Sequence, residues 1–270
     1  ALTAADTDGI VHWVKLASDR RADYDTIAAA WADANSYLSA RVWNGSAWES
    51  EPSAALETTL DYVTARQDVE SFDLDFESLT GNLMLAWANA SGASGVNGVR
   101  VATAAYGSPY TWGKGYAPAG FNDDATNLDL AANPANNGML LASIGNAAVT
   151  LQAAYWSGSS WTVTANMDTT CATPLAGTRL VAAGWISSNT VTRGVLAYND
   201  SAATNIGYYV WAGTFTLQTD ASAAPAFGNP QKFYDLRQDP VNGNRLLLTV
   251  SDVNSDLFAK RLFMTSAAAL

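Results

Sequence analysis

Histidine and cysteine occur once each in the 270 residues, as His12 and Cys171. A Ser-His-Asp triad would therefore have to run through His12, an intramolecular disulfide is excluded, and so is a metal site built from several Cys or His ligands. Charge is also scarce: 14% of residues are Asp, Glu, Lys or Arg, against about 25% in an average globular protein. What charge there is leans one way, with a net of −11, a field that repels phosphate backbones and anionic lipid headgroups and so excludes nucleic acid and membrane insertion as partners. No apolar run approaches the ~20 residues of a membrane span, and there is no leader with a basic start and an apolar middle. The surface is expected to be neutral and rich in Ser, Thr and Asn. Together with a first residue that is Ala, this predicts an extracellular or cell-surface location.

Apolar residues reach 49%, enough for a sizeable core. Helical periodicity is rare; short β-branched and aromatic runs recur between Gly, Asn, Asp and Ser turns, which predicts an all-β chain. The segment 55–67 reads either as a helix or as a loop with a strand.

One unit recurs five times at a period of about 50 to 60 residues. Its clearest part is a third strand with a hairpin: Tyr37–Trp43 with Asn44, Gly45, Ser46, Ala47 and Trp48; Val99–Tyr106 with Gly107 to Tyr110; Leu151–Trp156 with Ser157 to Trp161; and Gly207–Trp211 with Ala212 to Phe215. A degenerate copy is Leu257–Phe263, with Met264 and Thr265 in its turn. Glycine supplies the positive φ such hairpins need. Second strands are expected at Ile27–Trp31, Leu83–Trp87, Met139–Ala142, Val195–Tyr198 and Leu246–Val250, and first strands at Val11–Ala17, Phe72–Phe76, Leu128–Ala132, Leu180–Trp185 and Phe233–Arg237. Four antiparallel strands per unit make a propeller blade. The chain is thus read as one domain, a five-bladed β-propeller with blades at about 10–50, 70–115, 126–168, 178–220 and 231–270. The last unit lacks a fourth strand, and the N-terminal segment 1–6 is expected to supply it and close the ring.

The pairing of Phe72-Asp73-Leu74-Asp75-Phe76-Glu77-Ser78 with the hairpin from Trp43 to Trp48 resembles the repeat-rich β-propeller modules of bacterial cell-surface proteins. That resemblance implies blade architecture and says little about activity. In architecture the chain is similar to five-bladed tachylectin-type lectins and to arabinanase-like glycoside hydrolases, and a site must be shown before either function is carried over.

Three chemistries deserve a test. Aligning the first strands puts Asp73, Asp129 and Asp235 at one position, with Lys15 and Val181 in the other two units. Paired carboxylates would suit a glycoside hydrolase, whereas an Asp recurring in a repeat also suits a hydrogen bond to backbone amides of the adjoining turn. A lectin would stack sugars on exposed aromatics; the candidates are Trp43, Trp48, Trp156, Trp161 and Trp211 in the hairpins, and Tyr110 and Trp112 in a Gly-rich loop expected to be the most exposed. The same rings could instead brace the sheets. Asp252, Asn254 and Asp256, and likewise Asp6 with Asp8, alternate oxygen ligands as a Ca²⁺ loop does, or form turns. Asn44, Asn89 and Asn199 begin glycosylation sequons. No cofactor is expected. The sequence favours a non-catalytic structural or adhesive module of a surface or filament, whose partners are other copies or fibre proteins, with a carbohydrate-binding lectin as the alternative and a hydrolase behind it.

Overall fold

The computed structural model describes residues 10–49, 56–60, 69–89, 98–107, 109–123, 125–145, 149–174, 177–188, 191–200, 205–218, 230–239 and 241–263. They form five antiparallel sheets. The first contains β1 (Val11–Ser18), β2 (Thr26–Asp33) and β3 (Leu38–Asn44), and the second β4 (Phe72–Phe76), β5 (Leu83–Ala88), β6 (Val99–Ala105) and β7 (Thr111–Trp112). The third contains β8 (Ala125–Ala132), β9 (Met139–Gly145), β10 (Leu151–Trp156) and β11 (Trp161–Asp168), and the fourth β12 (Val181–Ser187), β13 (Thr192–Asp200), β14 (Asn205–Trp211) and β15 (Phe215–Gln218). The fifth contains β16 (Gln231–Gln238), β17 (Arg245–Asp252) and β18 (Leu257–Phe263). Within each sheet the strands follow chain order. The five first strands surround one cavity of about 250 Å³.

The sheets stack face to face, so a middle strand is covered on both sides. This is why β5 (LMLAWA) and β9 (MLLASIG) are buried throughout and read as continuous apolar runs rather than as alternating ones. Apolar clusters fill the space between neighbouring sheets: one joins the first and second, another the second and third, and the largest runs from the third to the fifth. Close approach also fixes glycine at 207, where a Cβ would fall within 2.2 Å of the Tyr198 ring. The hairpin glycines Gly45, Gly158 and Gly213 have φ of 93°, 94° and 100°, the conformation the turns require.

Several expectations need correction or delimitation. Leu56–Leu60 make isolated bridges (Glu57 with Leu38, Leu60 with Asn89) and no helix, because the Glu57 carboxylate accepts bonds from Trp87 Nε1 at 3.1 Å, from Asn89 Nδ2 and from the amides of Thr58 and Thr59. Residues 61–67 lie outside the described residues, as do the N-terminal segment 1–6 and the degenerate turn at Met264 and Thr265. The register moves one expected alignment: Ala182, not Val181, faces Ala197, just as Lys15 faces Ala30, Asp73 faces Ala86, Asp129 faces Ala142 and Asp235 faces Thr249.

The junction between the first and fifth sheets is the least covered. Trp13 and Phe233 meet across it with ring centroids 6.4 Å apart. Yet Leu16 is 67% exposed, where its counterpart Leu74 is 4% exposed, and Val14, Leu247 and Leu257 are exposed as well. We expect Leu16→Asp to change unfolding free energy by less than about 1 kcal/mol, as at other surface positions. Leu74→Asp, which buries an unpaired charge, should cost about 4 kcal/mol. Urea denaturation of the two variants measures the contrast, and a large loss for Leu16→Asp would mean that this junction is covered in solution.

Candidate functional site

Two places gather chemically capable side chains: the central cavity and the junction between the first and second sheets.

In the central cavity the recurring carboxylates do converge, but as parts of the frame. A first strand has a partner on only one side, so the amides facing the cavity need acceptors from elsewhere. Asp73 Oδ2 accepts the Leu130 amide at 2.8 Å and Asp75 Oδ2 the Ala132 amide at 2.9 Å, joining β4 to β8. One sheet further on, Asp129 Oδ2 accepts the Ala183 amide at 2.6 Å and Asn127 Oδ1 the Leu180 amide at 2.9 Å, joining β8 to β12. The donors belong to the next sheet's strand, not to an adjoining turn. Cations complete the cluster: Lys15 pairs with Glu70 and, at 3.3 Å, with Asp73. Arg179 pairs with Asp129 and lies 3.7 Å from Glu70 and 3.9 Å from Asp235. Asp235 is half-buried and bonded at 3.0 Å to the exposed Arg237.

Burial raises Asp129 to about 8, the Asp73 charge adding to it and Arg179 opposing it. For Asp73 burial acts upward too, but Lys15 and Arg179 outweigh it and hold that carboxyl below its usual range. The two share a hydrogen bond and, between them, one proton. These are unequal carboxyls, yet each is bonded to a neighbouring strand and flanked by a fixed cation, which leaves neither free to move a proton to a substrate.

The junction between the first and second sheets holds a cavity of about 460 Å³. Its wall on the first sheet is the β1–β2 loop, with Asp23, Tyr24 and Asp25, then Thr26 at the start of β2 and the hairpin residues Asn44, Gly45 and Ser46. The second sheet contributes Tyr106, Gly107 and Tyr110. Against two of its rings lies Arg21, which bonds Asp19 through Nε at 3.1 and 3.0 Å and through a terminal nitrogen at 2.6 Å and donates to the Thr80 carbonyl at 2.8 Å. Its guanidinium lies 4.0 Å from the Tyr24 ring centre and 4.2 Å from that of Tyr106, and the two rings meet edge to face at 5.6 Å. Tyr24 and Tyr106 stay 41% and 45% exposed. The Tyr106 phenol is held above its usual value, chiefly by hydrogen bonding to Tyr24.

This cavity sits where the repeat departs from its pattern. Trp43, Trp156 and Trp211 face Ile27, Met139 and Gly194, each three residues before the alanine that pairs with the first strand; the second sheet has Ala104, facing Leu83, at that place. At the next junction Trp156 reaches back and donates Nε1 to Glu77 at 2.6 Å. At the junction after that, Trp211 stacks on Tyr155 at 4.6 Å. With no indole at 104, Arg21 supplies the donor to Asp19, and open space remains.

The aromatics singled out by sequence divide accordingly. Trp43 and Trp48 meet edge to face at 5.8 Å, and Trp156 and Trp161 lie tilted at 5.4 Å; Trp161 Nε1 also reaches the Tyr116 hydroxyl at 3.2 Å. Trp211 is buried between Tyr155 and Phe215. Tyr110, expected among the most exposed, is buried, because its hydroxyl donates to the Gly81 carbonyl at 3.1 Å and its ring packs on Phe76; it still lines the cavity. Trp112 is half-buried against the apolar cluster of the first two sheets.

Of the sequons, Asn44 is exposed, while Asn89 and Asn199 are buried, their amides bonded to Glu57 and Gln231; those two are corrected, since a glycan has no room there. Asp252 Oδ1 accepts the amides of Asn254 and Asp256, both at 2.9 Å, the arrangement of a turn, and Asp33 does the same for Asn35 and Tyr37. Among the described residues no group of His, Cys, Asp and Glu could hold a metal ion. Asp6 and Asp8 lie outside them. His12 falls at the β1 bulge between Val11 and Trp13. Cys171 is buried, which pushes its thiol up to about 12. Arg21, Tyr24 and Tyr106 were not anticipated by sequence.

No protein-family model matches the chain, and a comparison with curated proteins finds no match. Solved structures do share its architecture, which is that of a β-propeller. A fungal lectin from Aleuria aurantia, described as six-bladed with a fucose recognition mode of its own, is 15% identical with a TM-score of 0.50, covering 92% of this chain and 74% of the lectin. The SapL1 lectin, solved with alpha methyl fucoside, is 14% identical with a TM-score of 0.53, covering 94% and 80%. A lectin from Burkholderia pseudomallei is 11% identical with a TM-score of 0.62, covering 94% and 67%. At such identities the likeness is one of fold.

The shared proton gives a test of the central cluster. In the unfolded chain Asp129 ionises near pH 4; folded, it keeps its proton to about 8. The stabilisation it brings is complete below the lower value and is lost as pH rises through the upper one. Between about pH 5 and pH 8 the parent protein should therefore lose about 3 to 4 kcal/mol more than Asp129→Asn, read as the difference in unfolding free energy from urea denaturation at the two pH values.

Proposed function

We propose that this chain is a non-catalytic carbohydrate-binding propeller, a lectin, which holds a saccharide in the cavity between its first and second sheets. The observation that carries the reading is the composition of that cavity: the partly exposed rings of Tyr24 and Tyr106 beside Asp23, Asp25, Thr26, Asn44 and Ser46. Sugars offer apolar ring faces and a rim of hydroxyls, and a site that binds them needs both aromatic surface and convergent polar groups. The three solved structures described above are named as lectins, two of them with fucose or a fucoside, which supports a glycan as ligand. The five sheets are consecutive blades of one domain, and an extracellular or surface location suits both the ligand and the sparsely charged composition.

A second reading keeps the module structural or adhesive. Exposed Leu16, Val14 and Leu247 at the first–fifth junction, together with the edge of β18, which has no fourth strand among the described residues, favour contact with further copies. Size-exclusion chromatography with light scattering tests it, and a monomer at high concentration would remove its support.

The lectin reading is tested by a glycan array on the full chain followed by calorimetry on the hits. Tyr24→Ala and Tyr106→Ala should each weaken binding at least about tenfold, the scale of losing one well-placed ring, with the circular dichroism spectrum unchanged. An array with no hits, or hits unaffected by both substitutions, would remove the saccharide from this cavity.

A further inference from the structure

Resting on the lectin reading, we infer that the site selects its saccharide by charge: it admits neutral sugars, holds those with a free amine most tightly, and refuses those bearing a carboxylate or sulfate. Among the described residues no cation lines the cavity, and the one that lies against its Tyr24 and Tyr106 rings, Arg21, is committed. Arg21 is paired with the buried Asp19 through three short contacts, donates to the Thr80 carbonyl, and lies over two rings. It cannot turn to an anionic ligand without abandoning Asp19, whose carboxylate would then be buried and unpaired.

The other charges at the cavity are negative. Asp23 and Asp25 line it, both exposed, and neither has a cation partner among the described residues. Glu49 stands behind Tyr110, accepting its amide at 2.7 Å and the Asn44 side-chain amide at 3.4 Å. The charged groups a sugar meets are thus carboxylates, set among hydroxyls that can donate or accept, and their charge attracts an ammonium and repels a uronate. Asp23 is at φ +66°, in the left-handed region that Asp and Asn tolerate. For exposed groups facing a ligand charge at roughly 4 Å, each carboxylate changes affinity by up to about tenfold, and salt removes much of the effect.

The test uses the full chain and three tetrasaccharides: a glucosamine tetramer with free amines, its fully N-acetylated counterpart, and a galacturonate tetramer. Calorimetry at low and high salt compares them for the parent protein, for Asp23→Asn/Asp25→Asn, and for Asp239→Asn/Asp256→Asn, which removes the same charge elsewhere. Asparagine retains the left-handed conformation at 23, so the first pair of substitutions keeps the loop. We expect the amine tetramer to bind at least about tenfold more tightly than the acetylated one at low salt, the uronate not to bind, and the preference to vanish only in Asp23→Asn/Asp25→Asn. Uronate binding comparable to that of the neutral sugar would overturn the inference, as would an equal loss of preference in both double variants, which would mean attraction to the overall charge. If neither these probes nor any glycan on the array binds, the lectin reading itself fails, an outcome distinct from sugars that bind without regard to charge.

Discussion

The structure depends on how five first strands manage with one hydrogen-bonded neighbour each. On the cavity side the buried amides of β8 and of the β12 region that would be orphaned are met by side chains of the preceding sheet: Asp73 and Asp75 for β8, Asp129 and Asn127 for β12. A carboxylate accepting buried amides is a strong bond, but an ionised one such as Asp73 brings negative charge into the interior, and Lys15 and Arg179 balance it there. The buried part of this protein's scarce charge here serves to join sheets. Between β12 and β16 the backbone itself does the joining, Arg179 and Tyr234 exchanging amide bonds with Lys232 and Arg179.

Around this frame the repeat varies. Where Trp156 bonds Glu77 and Trp211 stacks on Tyr155, the junction is filled with rings. Where the second sheet has Ala104, an arginine from the first sheet takes the indole's role as donor, and the tyrosines beside it leave an open, acidic hollow. The proposed site is a place where packing was relaxed rather than an addition to the fold.

The strands were legible in the sequence because each is short, apolar and bounded by turn residues, and because five approximate copies correct one another. The hairpin glycines and the order of strands within sheets follow from the same pattern. What a repeat alignment hides is the exception. It set Val181 where the register puts Ala182, since Leu180 has the look of a first-strand residue but serves as the partner of Asn127. It gave Asp73 and Asp129 a shared position without showing that their partners lie one sheet away. Arg21, Tyr24 and Tyr106 escaped notice because the cavity joins a loop of one unit to the third strand of the next; the one local signal was the alanine standing at 104 in place of a tryptophan. Burial misled in the other direction for Tyr110, Asn89 and Asn199, each in a turn-like stretch that the neighbouring sheet covers.

Two of the junctions are assembled from two halves, the acid after one unit's first strand and what the next unit's third strand presents: Asp19, through Arg21, with Tyr106, and Glu77 with Trp156. Neither half does anything alone. In hereditary terms, duplicating a unit of such a gene copies both halves but pairs them with new neighbours, so one event creates a junction that did not exist before. A single codon change at the position of Ala104 could then decide whether the new junction is mortar or a pocket.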